Sequence, residues 1–330
     1  MEGRAPPRPT LGARQRVPLP MKKKAAKEVY TLADLQNWQN ATRGLNLRAR
    51  VGVLGDPVAH SLSPQMQNAA LRECKIDMQY ARFHILPNEL PEALNLVRQL
   101  NFIGVDLTVP HKIAALEHVD DVDPDARRIG AVNTISFKGK TARGFNTDGR
   151  GFSRAIRDEF SVDLRDLRVL VLSAGGAGRA IAMQCAKENC ERLVIANRDF
   201  AKAKQLAEEL REFFAGPKVF GPVPRLQAIA WEEAAIRFQI ANIDLIVNAT
   251  PLGLNRSDPP PVPARLVAPH LMIYDTVYSS GRTLFVSAAI EAGARGANGL
   301  SMLIHQGALS FEIWFEREAP FEVMRKTLSL

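Results

Sequence analysis

Four places in this chain carry residue types whose spacing could do chemistry. The first is a lysine and a carboxylate far apart in sequence. Lys112 closes Val105-Asp106-Leu107-Thr108-Val109-Pro110-His111-Lys112, in the first turn of a helix predicted from residue 111. A cation there opposes the positive end of the helix dipole by ~0.3–1 kcal/mol, so helix stability does not account for it. A proton donor and a solvated surface lysine are the two readings. Asp148, in Asn146-Thr147-Asp148-Gly149, precedes another helical stretch, which it can cap or leave free for a partner. The second place is Ser61-Leu62-Ser63-Pro64. Ser63 before Pro64 predicts a helix N-cap with proline at the first helical position. If the segment is extended, Ser61 faces the same way. Two hydroxyls beside a helix N-terminus can hold a small carboxylate.

The third place is Ser173-Ala174-Gly175-Gly176-Ala177-Gly178, set between the apolar runs 169–172 and 193–196. It reads as strand, glycine turn, helix and strand, the unit in which a pyrophosphate rests on the N–H groups that open the helix. Gly175 and Gly178 keep the second and third places of G-x-G-x-x-G, while Ser173 takes the first. A glycine turn of another parallel-sheet protein is the alternative, and the flanking strands favour a dinucleotide. The fourth place is Asn197-Arg198-Asp199 with Lys202. Asn197 stands where an NAD site normally has an acid for the ribose hydroxyls. Arg198 and Lys202 can meet a 2′-phosphate, and Arg198 can also stack on adenine. NADP is therefore the expected cofactor and NAD the less favoured one, with Asp199 as the residue that would repel the phosphate.

The elements that must position these residues follow from the rest of the chain. At 330 residues, 46% hydrophobic and 24% charged, it has the composition of a soluble globular protein of about two domains, with no apolar run of membrane-spanning length. The formal +8 looks like a nucleic-acid signal until it is located. Residues 1–30 hold eight Lys/Arg against Glu2 and Glu28, leaving +2 for the other 300 residues, so no nucleic-acid partner is expected. Residues 1–20 are rich in Pro, Arg and Gly without periodicity and are expected to be disordered, the basic tail as a whole running to residue 30; Met21 offers a cleaner start. Cys74, Cys185 and Cys190 have no metal-ligand spacing and fit reduced thiols in a cytosol. From residue 152 onward strands and helices alternate, which predicts a parallel doubly wound sheet.

Six strings stand in the order seen in one family: Ser61-Leu62-Ser63-Pro64, Val105 to Lys112, Gly130-Ala131-Val132-Asn133-Thr134, Asn146-Thr147-Asp148-Gly149, Asn248-Ala249-Thr250-Pro251-Leu252-Gly253, and Gly299-Leu300-Ser301-Met302-Leu303-Ile304-His305-Gln306. Over roughly residues 50–318 the chain resembles the shikimate dehydrogenases. The resemblance implies NADPH-dependent reduction of 3-dehydroshikimate to shikimate on the route to aromatic amino acids. It implies an α/β fold of two domains: an N-terminal α/β substrate domain, 31–147 plus the returning C-terminal helices 299–330, and a Rossmann-type NADP-binding domain, 148–298. Carried over residue by residue, Ser61, Ser63 and Tyr278 would hold the substrate carboxylate, and Thr108, Asn133, Asp148 and Gln306 the ring hydroxyls. Lys112, paired with Asp148, would be the general acid. Gly175, Gly176, Ala177, Gly178, Asn197, Arg198, Lys202, Thr250 and Gly299 would contact the cofactor, and no metal is implied. Ser173 and Ser301 depart from the pattern by replacing glycines. A quinate/shikimate dehydrogenase with NAD preference, and a non-catalytic sensor of either acid, are the alternatives. The intact Lys112 and Asp148 weigh against the sensor. A cytoplasmic monomer or homodimer is expected.

Overall fold

The computed structural model describes residues 26–139, 141–215, 223–255, 257–278 and 281–328. Among them, the first sheet contains β1 (Tyr30–Thr31), β2 (Ala49–Gly55), β3 (Gln79–His84), β4 (Gly104–Leu107), β5 (Asp121–Val122), β6 (Thr134–Lys138) and β7 (Thr141–Phe145), in the order β1-β3-β2-β4-β6-β7-β5. Strands β3, β2 and β4 are parallel neighbours, whereas β6 is antiparallel to β4 and β7. Alternation sets the faces. On β3, Phe83 enters an aromatic cluster with Tyr30 and Trp38, and Tyr80 lies in a different core with Val51 and Val53.

The second sheet contains β8 (Arg168–Leu172), β9 (Arg192–Asn197), β10 (Leu226–Ala230), β11 (Leu245–Asn248), β12 (Met272–Asp275) and β13 (Arg295–Asn298). All its pairings are parallel, in the order β10-β9-β8-β11-β12-β13. This is the predicted doubly wound sheet, and its order reverses between β8 and β11, which leaves a crevice beyond the carboxyl ends of those strands. The β8 run Val169-Leu170-Val171-Leu172 is wholly buried, as a strand covered by helices on both faces must be.

Two helices bind the sheets together. The Asp148–Phe160 helix puts Phe152, Ala155 and Ile156 into the core of the second sheet. The Leu300–Phe315 helix puts Leu303, Ile304, Phe311 and Trp314 against Val51 and Val53 of the first. They cross at Gly151, where a Cβ would stand 2.8 Å from Gln306 Cβ and 2.9 Å from its backbone nitrogen. Only a glycine allows that approach. Arg179 Nε, donating to the Ile129 carbonyl at 2.6 Å, and Lys187, paired with Asp125 at 2.7 Å, hold the Gly176–Lys187 helix to the first unit.

Two expectations are corrected and one open alternative is decided. Residues 1–25 of the expected tail lie outside the described residues, but its last residue does not behave as tail: Tyr30 is 2% exposed and pairs with Phe83, because its ring completes the aromatic cluster. Ser63 does not cap its helix. The Ser63–Glu73 helix begins with it, and the Ser61 hydroxyl accepts from the Ser63 N–H at 3.3 Å. Asp148 likewise is the first helical residue, not the cap; its own N–H is taken by Asn146 Oδ1 at 3.1 Å, so its carboxylate is left for other partners. Among the described residues no helix is long and apolar enough to cross a membrane, and the three cysteines are unpaired.

Candidate functional site

Lys112 and Asp148, 36 residues apart, meet where the two units face each other. Lys112 Nζ donates to Asp148 Oδ2 at 2.6 Å, and the two side chains are 16% and 4% exposed. An ion pair this enclosed needs its remaining lone pairs satisfied. Asn133 Nδ2 supplies one donor, 3.0 Å from Asp148 Oδ1. The same amide lies 2.8 Å from Thr147 Oγ1 and 3.3 Å from Gln306 Oε1, while Asn133 Oδ1 accepts from the Thr147 N–H at 2.8 Å. Four sequence-predicted residues, Lys112, Asn133, Asp148 and Gln306, thus form one connected group. Each comes from a separate segment: the helix after β4, the turn before β6, the start of the Asp148–Phe160 helix, and the C-terminal Leu300–Phe315 helix.

Ser61, Ser63 and Tyr278 form a second group beside it. Burial raises the Tyr278 phenol, against hydrogen bonds from Ser61 and the Leu62 backbone. Ser63 stands close to Tyr80, whose phenol burial pushes well above its ordinary value. Thr108 follows β4, and its Cγ2 would stand 2.2 Å from a Cβ at position 55, so Gly55 is the residue that makes room for it.

Residues that sequence reasoning missed stand behind both groups. Asp106, on β4 and two positions from Thr108, is 5% exposed. The Tyr80 hydroxyl donates to its Oδ2 at 2.7 Å, and the Thr134 hydroxyl lies 3.2 Å from Oδ1 and 2.8 Å from Ser310 Oγ. Burial pushes the Asp106 carboxyl up to about 7, against the hydrogen bonds from Tyr80, Ser310 and Thr134, and the charge of Asp148 adds to the rise. The available signal was a charged residue inside an apolar run, in phase with Thr108.

The nucleotide end is built from the carboxyl ends of β8, β9, β11 and β12. Gly175 is the N-cap residue of the Gly176–Lys187 helix, whose first-turn N–H groups have no partners within the helix. The fit to a dinucleotide rests on two absent side chains. A Cβ at Gly178 would meet the Ser173 carbonyl oxygen at 2.3 Å, and one at Gly176 would meet Lys112 Cβ at 3.0 Å and Cδ at 3.3 Å. The glycine turn therefore lies directly against the lysine. Ser173 adopts φ +142°, a conformation that favours glycine, and its hydroxyl accepts from the Gly175 N–H at 3.0 Å. Asn197 braces the turn: its Oδ1 accepts from the Ala174 N–H at 3.1 Å and its Nδ2 donates to the Asp199 carbonyl at 2.9 Å. Arg198 and Lys202 are exposed. The Asp199 carboxylate caps the Phe200–Glu209 helix through the Ala201 N–H at 3.1 Å. The Thr250 hydroxyl donates to Asn248 Oδ1 at 2.6 Å, folding the loop after β11. Gly299 is the N-cap residue of the Leu300–Phe315 helix, and a Cβ there would meet the Thr276 carbonyl at 2.2 Å. The serine at 301 is absorbed by a hydrogen bond to the Tyr274 hydroxyl at 3.1 Å.

Family models match along the chain: shikimate dehydrogenase substrate binding domain over residues 53–135, shikimate / quinate 5-dehydrogenase over 155–218, and shikimate 5′-dehydrogenase C-terminal domain over 299–328. The shikimate dehydrogenase (NADP(+)) of Methanopyrus kandleri is 42% identical over 280 residues, 84% of this chain and 94% of that protein. Among solved structures, a shikimate dehydrogenase in complex with NADP+ aligns with a TM-score of 0.75 at 34% identity, covering 86% of this chain and 94% of the other. The enzyme of Thermus thermophilus, in complex with NADP(H) and shikimate, gives 0.72 at 37% identity, covering 86% and 98%. Similarity of this extent over both sheets and the returning helices means that the chain belongs to the shikimate dehydrogenase family.

Proposed function

We propose that this protein is a shikimate dehydrogenase that reduces 3-dehydroshikimate to shikimate, reversibly, with NADP as its cofactor. The observation that carries this reading is the contact of the glycine turn with Lys112 at the point where Lys112 pairs with Asp148. A nucleotide-binding helix start and a partly buried ammonium share one wall, as a hydride transfer coupled to a proton transfer requires. The substrate unit is residues 30–147 with 299–330, and the nucleotide unit residues 148–298.

The bound nicotinamide supplies the hydride. As the carbonyl carbon is reduced, negative charge grows on its oxygen, and the Lys112 ammonium stabilises that charge and delivers the proton. In the reverse direction the neutral amine takes the proton from the hydroxyl. Asp148 aims Lys112 and offers a carboxylate oxygen to a ring hydroxyl. Asn133, Gln306 and Thr108 bind the remaining hydroxyls, and Asn133 is fixed on both sides by Thr147 before substrate arrives. Ser61, Ser63 and Tyr278 take the carboxylate. At the other end, Gly175 to Gly178 receive the pyrophosphate, Arg198 and Lys202 the 2′-phosphate, and Thr250 and Gly299 border the nicotinamide half. Its place is the cytosol, which three thiols without disulfide partners suit, and its assembly a monomer or homodimer. The test is an assay of the purified protein with shikimate or quinate and NADP or NAD. Shikimate with NADP should give the highest kcat/KM of the four combinations, and a higher value with quinate or with NAD would overturn the corresponding part.

A further inference from the structure

Strand β3 presents Tyr80, Arg82 and His84 on one face by its period of two. Tyr80 has Asp106 as its acidic partner at 2.7 Å, and His84 Nε2 lies 2.8 Å from Asp56 Oδ1. Arg82, between them and half-buried, has neutral partners only. Its Nε and Nη2 donate to the Ser61 carbonyl at 3.0 and 2.7 Å, and Nη2 also reaches Gln65 Oε1 at 3.2 Å. Among the described residues no carboxylate oxygen lies within 4.0 Å of it. A partly enclosed guanidinium without a counter-ion leaves a positive potential around it. That charge stands behind Ser61 and reaches the Tyr278 phenol, where it opposes the effect of burial.

We propose that Arg82 is a positioning residue for the substrate's carboxylate, holding the Ser61 carbonyl in a two-pronged grip and supplying the positive charge that the hydroxyls of Ser61, Ser63 and Tyr278 lack. The inference rests on the reading of those three residues as the carboxylate subsite. A carboxylate moved from water onto neutral hydroxyls alone loses solvation that they do not fully replace. A nearby cation recovers part of that loss without touching the anion, and its reach through partly enclosed protein is longer than through water. Its side-chain hydrogen bonds end at Ser61 and Gln65.

The experiment compares wild type, Arg82→Gln and Arg82→Lys with shikimate and with its uncharged methyl ester, by steady-state kinetics and by calorimetric titration of shikimate. Arg82→Gln should weaken shikimate about tenfold in KM and Kd with kcat within about twofold. Arg82→Lys, which keeps the charge but not the two-pronged grip, should recover most of the loss. With the methyl ester wild type and Arg82→Gln should differ little, and raising salt should weaken shikimate binding by wild type more than by Arg82→Gln. Equal losses for acid and ester, or an unchanged Kd for shikimate, would overturn the proposal. Ser61→Ala and Tyr278→Phe separate its failure from that of the subsite: if these leave shikimate binding unchanged, the carboxylate reading itself falls. If they weaken it while Arg82→Gln does not, only the role of Arg82 falls.

Discussion

The two ends of the cleft are built differently. At the Lys112 end, Lys112, Asp148, Asn133 and Gln306 are tied to one another before any ligand arrives, in a largely enclosed group drawn from four segments. At the Arg198 end the cations are exposed, and the Asp199 carboxylate caps a helix through Oδ1 while its Oδ2 lies 3.9 Å from Lys202 Nζ. Enclosed and interlocked groups fix geometry for a chemical step, whereas exposed charges contribute affinity that single substitutions can retune. Chemistry in this molecule should thus be brittle and cofactor choice adjustable.

The largest effect that tests this contrast is at Lys112. Lys112→Ala should lower kcat by ~10²–10⁴ with a much smaller change in KM for shikimate, because the subsite around Ser61 is left intact. Asp148→Asn should reproduce part of the loss, and the double variant should be little worse than Lys112→Ala, since groups acting as one unit are not additive. Near-normal turnover of Lys112→Ala at saturating NADP would reduce that lysine to a structural charge. At the other end, replacing Arg198 and Lys202 by Ala should weaken NADP about 10- to 100-fold in titrations while NAD changes little. Equal losses for the two cofactors would exclude a 2′-phosphate role. Asp199→Thr should improve NADP binding with an unchanged Tm, because Thr also caps helices.

Gly176→Ala probes the seam between the ends. The added methyl would stand 3.0 Å from Lys112 Cβ and must displace it. Turnover should drop about tenfold, with a smaller change in NADP affinity; the opposite pattern would assign Gly176 to the nucleotide alone. The smallest effect is on stability. The Asp106 carboxyl ionises near 3.8 when unfolded but holds its proton to about 7 when folded. Between those values the folded state binds more protons, so its stability falls as pH rises. Asp106→Asn removes that slope, and its Tm relative to wild type should climb by about several degrees from pH 5 to pH 8. A difference that stays constant over this range would mean that Asp106 ionises at ordinary pH.

What was legible in the sequence was whatever local spacing encodes. The β8–glycine–helix–β9 unit could be read because its signals lie within about thirty residues. Lys112 stood out because a cation in a first helical turn contradicts the dipole. Ser63 was misplaced by one step, since Ser-Pro suits a cap and a first helical residue alike and the choice depends on Ser61, which takes the N–H. Asp106, Tyr80, Thr134 and Ser310 were illegible as a group: each fits an ordinary strand or helix, and the β3-β2-β4-β6 order together with the returning helix brings them together. Arg82 was silent for the same reason, its meaning residing in the acids it does not meet.

The crossing of the two helices at Gly151 also has a consequence for how the enzyme is born. Asn133 and Gln306 touch across 173 residues of chain, and the whole second sheet lies between them in sequence. When β13 leaves the ribosome that sheet can close, yet Val51, Val53 and Met66 still lack the cover of Ile304 and Phe311. The first domain to be synthesised is therefore the last to be finished, and a nascent chain stalled before residue 300 would hold a paired nucleotide sheet, short only of Met302 in its core cluster, beside an open, greasy substrate fold. Such a species is a natural client for chaperones, and activity should appear only after release of the full-length polypeptide.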